Sequence, residues 1–355
     1  MGTSDNMLSY LDWRGDLSMK ANPFNEIDAM LFTELVYCKF EQVIPKEGIT
    51  IENAARLYKE RVIPNKAKMD YTSSELVLFA MASCSRFKKM RLLGYVSETR
   101  MDIYKQFAVM QIQLQPFLRF VAFRGTDGSF AGWKENFHMC YMNPVPSQQA
   151  AKDYVNEMCN APFTKYIFGG HSKGGNLAMY AGAFCNAKIQ KKLKKVYAFD
   201  SPGFNDSLIC APEMETLRLK LESFAPQDSV VGMLLNPVVP CKIIHSQSKG
   251  LPEHFLLSWS VENNALYDKC KRSSLSIQIE TTLKGWISQL TDEQKKMAVN
   301  AFFDVLYNAG IHTMEEFTNI NVKNLVPLMK ATKGLTPEMK ENIFKVMSLL
   351  LKKSE

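Results

Sequence analysis

Apolar residues recur with two periods along this chain of 355 residues. From Pro23 to Phe40 they fall at helical spacing, at Ile27, Met30, Leu31 and Leu35. Thr50 to Val62 is a second helical segment, and Ser73 or Ser74 can cap a third that runs to about Lys89. Residues 1–90 therefore read as mostly helical. Three strand-like segments follow: Leu93 to Glu98, Phe107 to Leu114, which alternates apolar and polar residues, and Leu118 to Phe123. Ser147 to Met158 again has helical spacing and leads into the short apolar run Lys165-Tyr166-Ile167-Phe168-Gly169. Beyond it helices alternate with strand candidates at Val196 to Phe199, Leu219 to Phe224 and Lys242 to His245. That alternation predicts an open, mostly parallel sheet covered on both faces. From Ser274 onward the pattern is helical throughout. Thr291 is a candidate cap, Asn308-Ala309-Gly310 a stop, and Thr336-Pro337 a further start with proline at the first helical position. The predicted organisation is an α/β unit over residues 1–265, N-terminal helices included, and a helical extension over 266–355.

The junction after the Lys165 run carries chemistry. Gly170-His171-Ser172-Lys173-Gly174 stands between that strand and Asn176 to Phe184, which reads as a helix packed on a sheet. Strand, Gly-x-Ser-x-Gly, helix is the context of a nucleophile elbow. Gly170 and Gly174 let strand and helix approach closely, Gly175 adds room, and the turn presents the Ser172 hydroxyl at the carboxyl end of the sheet. A glycine-rich turn that merely joins strand to helix would look the same, so partners elsewhere must decide.

Chain order supplies candidates. In the α/β-hydrolase order the acid follows the serine and the histidine follows the acid. The acid usually comes after the second strand beyond the elbow strand, and the histidine after the third. Counting strands selects Asp228 in Pro226-Gln227-Asp228-Ser229, then His254 in the loop that follows His245. Asp200 also ends a strand and is the rival acid; the count favours Asp228. His245 falls within a strand, His171 adjoins the nucleophile, His138 precedes the elbow and His312 lies in the helical extension. Two donors are expected for a developing oxyanion: the backbone N–H of Lys173 at the start of the elbow helix, and Thr126 in Phe123-Arg124-Gly125-Thr126. The bland reading of the second is an ordinary turn after a strand.

Composition narrows the setting. With 46% hydrophobic residues the chain can fill a full core. Eight scattered cysteines without a Cys-x-x-Cys pair read as buried thiols in a reducing compartment, not as a disulfide framework or a metal site. No leader-like segment opens the chain and no apolar stretch is long enough to span a bilayer, so the expected location is cytoplasmic. The net charge is +7, and much of the local basic density lies between Lys188 and Lys195. A solvated helix end is preferred there over an anionic-membrane or nucleic-acid patch. No nucleic-acid partner is expected; peripheral membrane contact stays open.

The residues around the elbow resemble those of class 3 lipases. Phe123-Arg124-Gly125-Thr126 followed by Trp133 to Phe137 is similar to their oxyanion stretch, and Gly170 to Ala178 to their elbow. Tyr197-Ala198-Phe199-Asp200-Ser201-Pro202-Gly203 is similar to a turn of those enzymes in which Asp200 would be structural. Pro226 to Val231 occupies the place of their acid loop, and His254 with Trp259 resembles their histidine segment. A closer resemblance is to an uncharacterised bacterial α/β-hydrolase-like family. Its members open with a segment like Leu8 to Leu17 and Pro23 to Asp28, carry a Gly-His-Ser-Lys-Gly-Gly-Asn elbow, and end in helices. Lys173 departs from class 3 lipases, which usually carry an apolar residue there.

The resemblance implies an α/β-hydrolase fold. Together with the residues it leads to a serine hydrolase acting on a small-molecule or lipid acyl substrate, an ester or thioester. Ser172 would be nucleophile, His254 base and Asp228 its orienting acid, with Thr126 and Lys173 as oxyanion donors and no cofactor or metal. Met233, Leu234, Leu235, Phe255 and Leu256 are candidates for an acyl pocket. Two other classes remain: an acyltransferase using the same triad, and a non-catalytic interaction protein on a hydrolase fold.

Overall fold

The computed structural model describes residues 4–311 apart from Val230, Leu234, Ser288 and Gln289, together with Glu316, Pro337 and Lys340. Eight strands form one sheet, and they lie side by side in sequence order. They are β1 (Ile49–Thr50), β2 (Arg91–Arg100), β3 (Lys105–Gln115), β4 (Leu118–Phe123), β5 (Lys165–His171), β6 (Leu193–Phe199), β7 (Leu221–Pro226) and β8 (Lys242–Ile244). Pairing is antiparallel from β1 to β4 and parallel from β4 to β8. Helices α1 (Met7–Arg14), α2 (Glu26–Leu35), α3 (Ile51–Arg61) and α4 (Ser73–Ser83) precede β2. α5 (Phe130–His138) and α6 (Pro146–Met158) join β4 to β5, and α7 (Lys173–Phe184) and α8 (Ala187–Lys192) join β5 to β6. The short α9 (Asp206–Ile209) and α10 (Glu213–Arg218) precede β7, and α11 (Ser274–Ile287) and α12 (Asp292–Asn308) follow the sheet.

Alternation divides the sheet's side chains between two cores. Val121, Phe123, Tyr166, Phe168, Val196 and Ala198 pack with Val155 of α6 and Leu177 and Ala181 of α7. Phe120, Ala122, Ile167, Tyr197 and Phe199 point the other way, onto Met30, Leu31 and Leu35 of α2 and onto α1 and α4. The parallel strands read as continuous apolar runs because both faces are covered. Each crossover from β4 to β7 advances one strand in the same direction, so handedness sends its helices to one face. The other face is closed by the N-terminal helices. A buried cluster fixes them: the Arg86 guanidinium bonds both Asp28 oxygens, and the Tyr10 hydroxyl reaches Asp28 Oδ1 at 3.1 Å.

Two local expectations shift. The cap of α4 is Thr72, not Ser73 or Ser74: its hydroxyl accepts from the Glu75 N–H while the Glu75 carboxylate accepts the Thr72 N–H at 2.8 Å. That helix ends at Ser83, short of Lys89, because Cys84 turns to extended backbone and Arg86 is drawn inward to Asp28. Thr291 does cap α12, its hydroxyl accepting from the Gln294 N–H at 3.2 Å. Phe302 and Phe303 of α12 pack on Phe137 of α5, and Phe303 also meets Phe130 edge-on. The start proposed at Thr336 and His312 lie outside the described residues, as do the Leu234 position and the Met233 side chain. No helix among the described residues is long and apolar enough to cross a membrane.

Candidate active site

β5 ends where the backbone can no longer continue as a strand. Ser172 takes φ 57°, in the left-handed region that costs a residue with a Cβ, and α7 begins at the next residue. The elbow closes only with glycines around it. A Cβ on Gly170 would lie 2.1 Å from the Gly174 carbonyl carbon, and one on Gly174 would lie 2.1 Å from the Phe123 carbonyl oxygen. The second contact also brings the end of β4 against the start of α7, so the loop after β4 meets the elbow. There a Cβ on Gly125 would stand 3.2 Å from the Ser172 Cβ. Thr126 follows at once, and its Oγ1 accepts from Asn136 Nδ2 of α5 at 2.9 Å. With that lone pair occupied, the hydroxyl proton is free to turn toward an oxyanion. The N–H of Lys173, at the first position of α7, belongs to the helix start, where N–H groups lack intrahelical acceptors.

The Lys173 side chain turns away from the site. Its ammonium is fully buried, 2.9 Å from Glu135 Oε2 of α5 and 2.6 Å from the Gln106 carbonyl at the head of β3. Burial pushes the lysine's pKa down, and the Glu135 charge opposes that shift. Glu135 is saturated: it also accepts from Ser147 N and Oγ, both at 2.7 Å, and from Gln106 N at 3.2 Å. One carboxylate therefore pins α5, β3, α6 and the first residue of the elbow helix. Sequence reading missed this pair; the unusual lysine inside the Gly-x-Ser-x-Gly motif was the available signal.

The histidine expectation and the acid expectation part company. His254 Nδ1 lies 2.6 Å from Oδ2 of Asp200, not beside Asp228. A carboxylate only accepts, so Nδ1 carries a proton, and the tautomer this selects for the uncharged ring has its lone pair on Nε2. Asp200 is 1% exposed, and its other oxygen accepts from the Ser229 hydroxyl and from Gly232 N at 3.2 Å. Asp228 is corrected accordingly: its N–H donates to Glu253 Oε2 at 2.9 Å, and its Oδ1 is buried without a partner. The reason is reach. Asp200 ends β6, which pairs with the elbow strand, and its N–H donates to the Phe224 carbonyl of β7 while Ser172 N donates to Phe199 O. The loop chosen for the acid instead supplies the Ser229 hydroxyl that holds it. Glu253, beside Asp228, is pushed up to about 7 by burial, with the Asp228 charge adding to the rise.

His171 is the second histidine of the site, its ring centroid 4.4 Å from that of His254. Its Nε2 lies 2.8 Å from the His254 backbone carbonyl and its Nδ1 3.1 Å from the Tyr37 hydroxyl. The carbonyl can only accept, so Nε2 donates and Nδ1 accepts from Tyr37. Burial, and then the neighbouring His254, hold this ring's pKa well below the usual range, so it stays neutral. The remaining described histidines do other work. His245 meets Ser260 Oγ at 2.9 Å, and His138 is buried with a pKa lowered to about 4 by burial and Lys134. Phe255 stands exposed next to His254, whereas Leu256 is core.

A mostly parallel sheet whose central strand ends in a serine elbow, with a histidine–carboxylate pair set at the next strand, defines a chain with the α/β-hydrolase type of fold. Within that class the chain belongs to the Mbeg1-like family, whose model matches residues 81–304. No curated protein sequence matches it. Among solved structures it is similar to a mutant form of MDLA from Penicillium cyclopium, at 13% identity and TM-score 0.42, over 70% of this chain and 87% of that one. It is also similar to a lipase from Rhizopus microsporus var. chinensis, at 17% identity and TM-score 0.36, over 66% and 88% of the two chains. The native Rhizomucor miehei lipase propeptide complex is similar at 15% identity and TM-score 0.37, over 71% and 76%.

Proposed function

We propose that this protein is a serine hydrolase that cleaves carboxylic esters or thioesters through a covalent acyl-enzyme. The observation that carries the reading is the Asp200–His254 hydrogen bond, which fixes the tautomer of the neutral ring with its proton on Nδ1 and its lone pair on Nε2. Ser172 Oγ attacks the acyl carbon as His254 Nε2 takes its proton. Asp200 holds the ring and stabilises its charge once protonated. The oxyanion of the tetrahedral intermediate takes hydrogen bonds from the Thr126 hydroxyl and the Lys173 N–H. His254 then returns the proton to the leaving oxygen or sulfur. Water, deprotonated by the same nitrogen, releases the acid and restores Ser172. We place the work in the cytoplasm; all eight cysteines are unpaired thiols, as a reducing compartment keeps them. The exposed Phe255 ring next to His254 supports an apolar acyl or leaving group.

A fluorophosphonate probe on the purified protein tests the reading. Stoichiometric labelling is expected, with the adduct on the peptide that contains Ser172 and none in Ser172→Ala. Absence of labelling in the wild-type chain, or undiminished labelling in that variant, removes Ser172 from the nucleophile's role.

A further inference from the structure

The end of the sheet opposite the candidate site has a surface of its own. Phe117 immediately precedes β4, Phe163 stands two residues before β5 and Leu219 two residues before β7. They are 61%, 85% and 89% exposed. The register puts Phe117 and Phe163 on neighbouring strands at nearly the same level, since Leu118 pairs with Lys165; Leu219 lies about three residues, roughly 10 Å, further back along the sheet, since Leu221 pairs with Val196 and Val196 with Phe168. With strands about 4.8 Å apart, the row from β4 to β7 is roughly 14 Å wide. Phe163 also adopts φ 55°, a conformation that costs a residue with a side chain, and burial of its ring does not offset that cost.

Cations fill the same edge. Lys165 heads β5 and Lys191 and Lys194 flank the start of β6, all exposed. Lys192 and Lys220 donate to the carbonyls of Ala161 and Gln190, at 2.8 and 2.7 Å, which leaves their charge uncompensated. Glu222, an acid at this end, is already shared between Lys195 and Lys242. Lys220 is held below the usual lysine range, chiefly by burial, with the Lys165 charge contributing. Exposed apolar tips ringed by ammonium groups fit the boundary between headgroups and acyl chains. Nucleic acid would use the lysines and leave the apolar tips in water.

We propose that this end of the sheet docks on an anionic phospholipid bilayer, with Phe117, Phe163 and Leu219 inserted and the lysines on lipid phosphates. The contact is peripheral. Seven residues of β5, about 23 Å of strand, separate the surface from the elbow, so a docked molecule holds Ser172 on the aqueous side.

Sedimentation of the full chain with phosphatidylcholine vesicles, with and without phosphatidylserine, tests this. Binding is expected only with phosphatidylserine, weakening as salt rises. Lys191→Gln with Lys194→Gln should weaken it by about fivefold per lysine. Phe163→Ser with Leu219→Ser should weaken it by at least about tenfold. Circular dichroism should show both double variants folded. Absence of binding to phosphatidylserine vesicles overturns the proposal, as does binding unchanged in both folded variants. Equal binding to neutral vesicles, indifferent to the lysines, also overturns it.

Discussion

Replacing Asp200 by Asn probes the site at its most specific point. The carboxylate accepts on both oxygens: Oδ2 from His254 Nδ1, Oδ1 from the Ser229 hydroxyl and the Gly232 N–H. An amide of the same shape has a single acceptor oxygen. Two fixed donors hold that oxygen on the Oδ1 side, so the NH2 group faces His254. Nδ1 must then accept, the ring proton moves to Nε2, and the base can no longer take the Ser172 proton. By analogy with other serine triads the loss in kcat is about ten-thousandfold. At 1.36 kcal/mol per decade this is about 5.5 kcal/mol of transition-state stabilisation. The fold should be little changed, since the side chain keeps its volume and two of its hydrogen bonds. Asp228→Asn leaves the bond from the Asp228 N–H to Glu253 untouched and should change kcat by less than about fivefold, the scale of one modest charge interaction. The assay is steady-state hydrolysis of a short p-nitrophenyl ester, with circular dichroism as the folding control. A larger loss in Asp228→Asn than in Asp200→Asn would refute the assignment, as would an Asp200→Asn enzyme within tenfold of wild type.

Glu135→Ala strands the Lys173 ammonium in the core and removes the acceptor of Ser147 and Gln106; we expect a loss of about 3–5 kcal/mol. At about 1.3 °C per kcal/mol for a chain of this length this lowers Tm by roughly 4–7 °C. Adding Lys173→Met should restore part of that loss, and simple additivity of the two changes in calorimetry would refute the coupling. Glu253 has its folded pKa raised from 4.5 to about 7, so the folded state binds more protons than the unfolded state between those values. Its contribution to stability is complete below 4.5 and falls as pH rises to about 7. Glu253→Gln should therefore narrow the Tm difference between pH 5 and pH 8, and an unchanged difference would refute the effect.

The elbow was legible from the chain because its causes are local. A serine with positive φ between strand and helix needs small residues within four positions on either side, and Gly170, Gly174 and Gly175 provide them in sequence. The strands of the parallel half were legible too, since segments buried on both faces leave apolar runs such as Tyr166 to Phe168. His254 could be proposed because few histidines follow the elbow. The acid could not be fixed in the same way. Asp200 and Asp228 both follow a strand's carboxyl end, and which one meets the imidazole depends on the path of the loop carrying His254, a three-dimensional property. The Glu135–Lys173 pair spans 38 residues and the Tyr37–His171 bond 134, separations at which no periodicity links the partners. The helices of residues 1–90 could be read from spacing, but not that they would close the second face of the sheet. That followed from the crossovers: right-handed connections that all advance in one direction place their helices on one face, and the apolar surface left on the other has to be covered by another part of the chain.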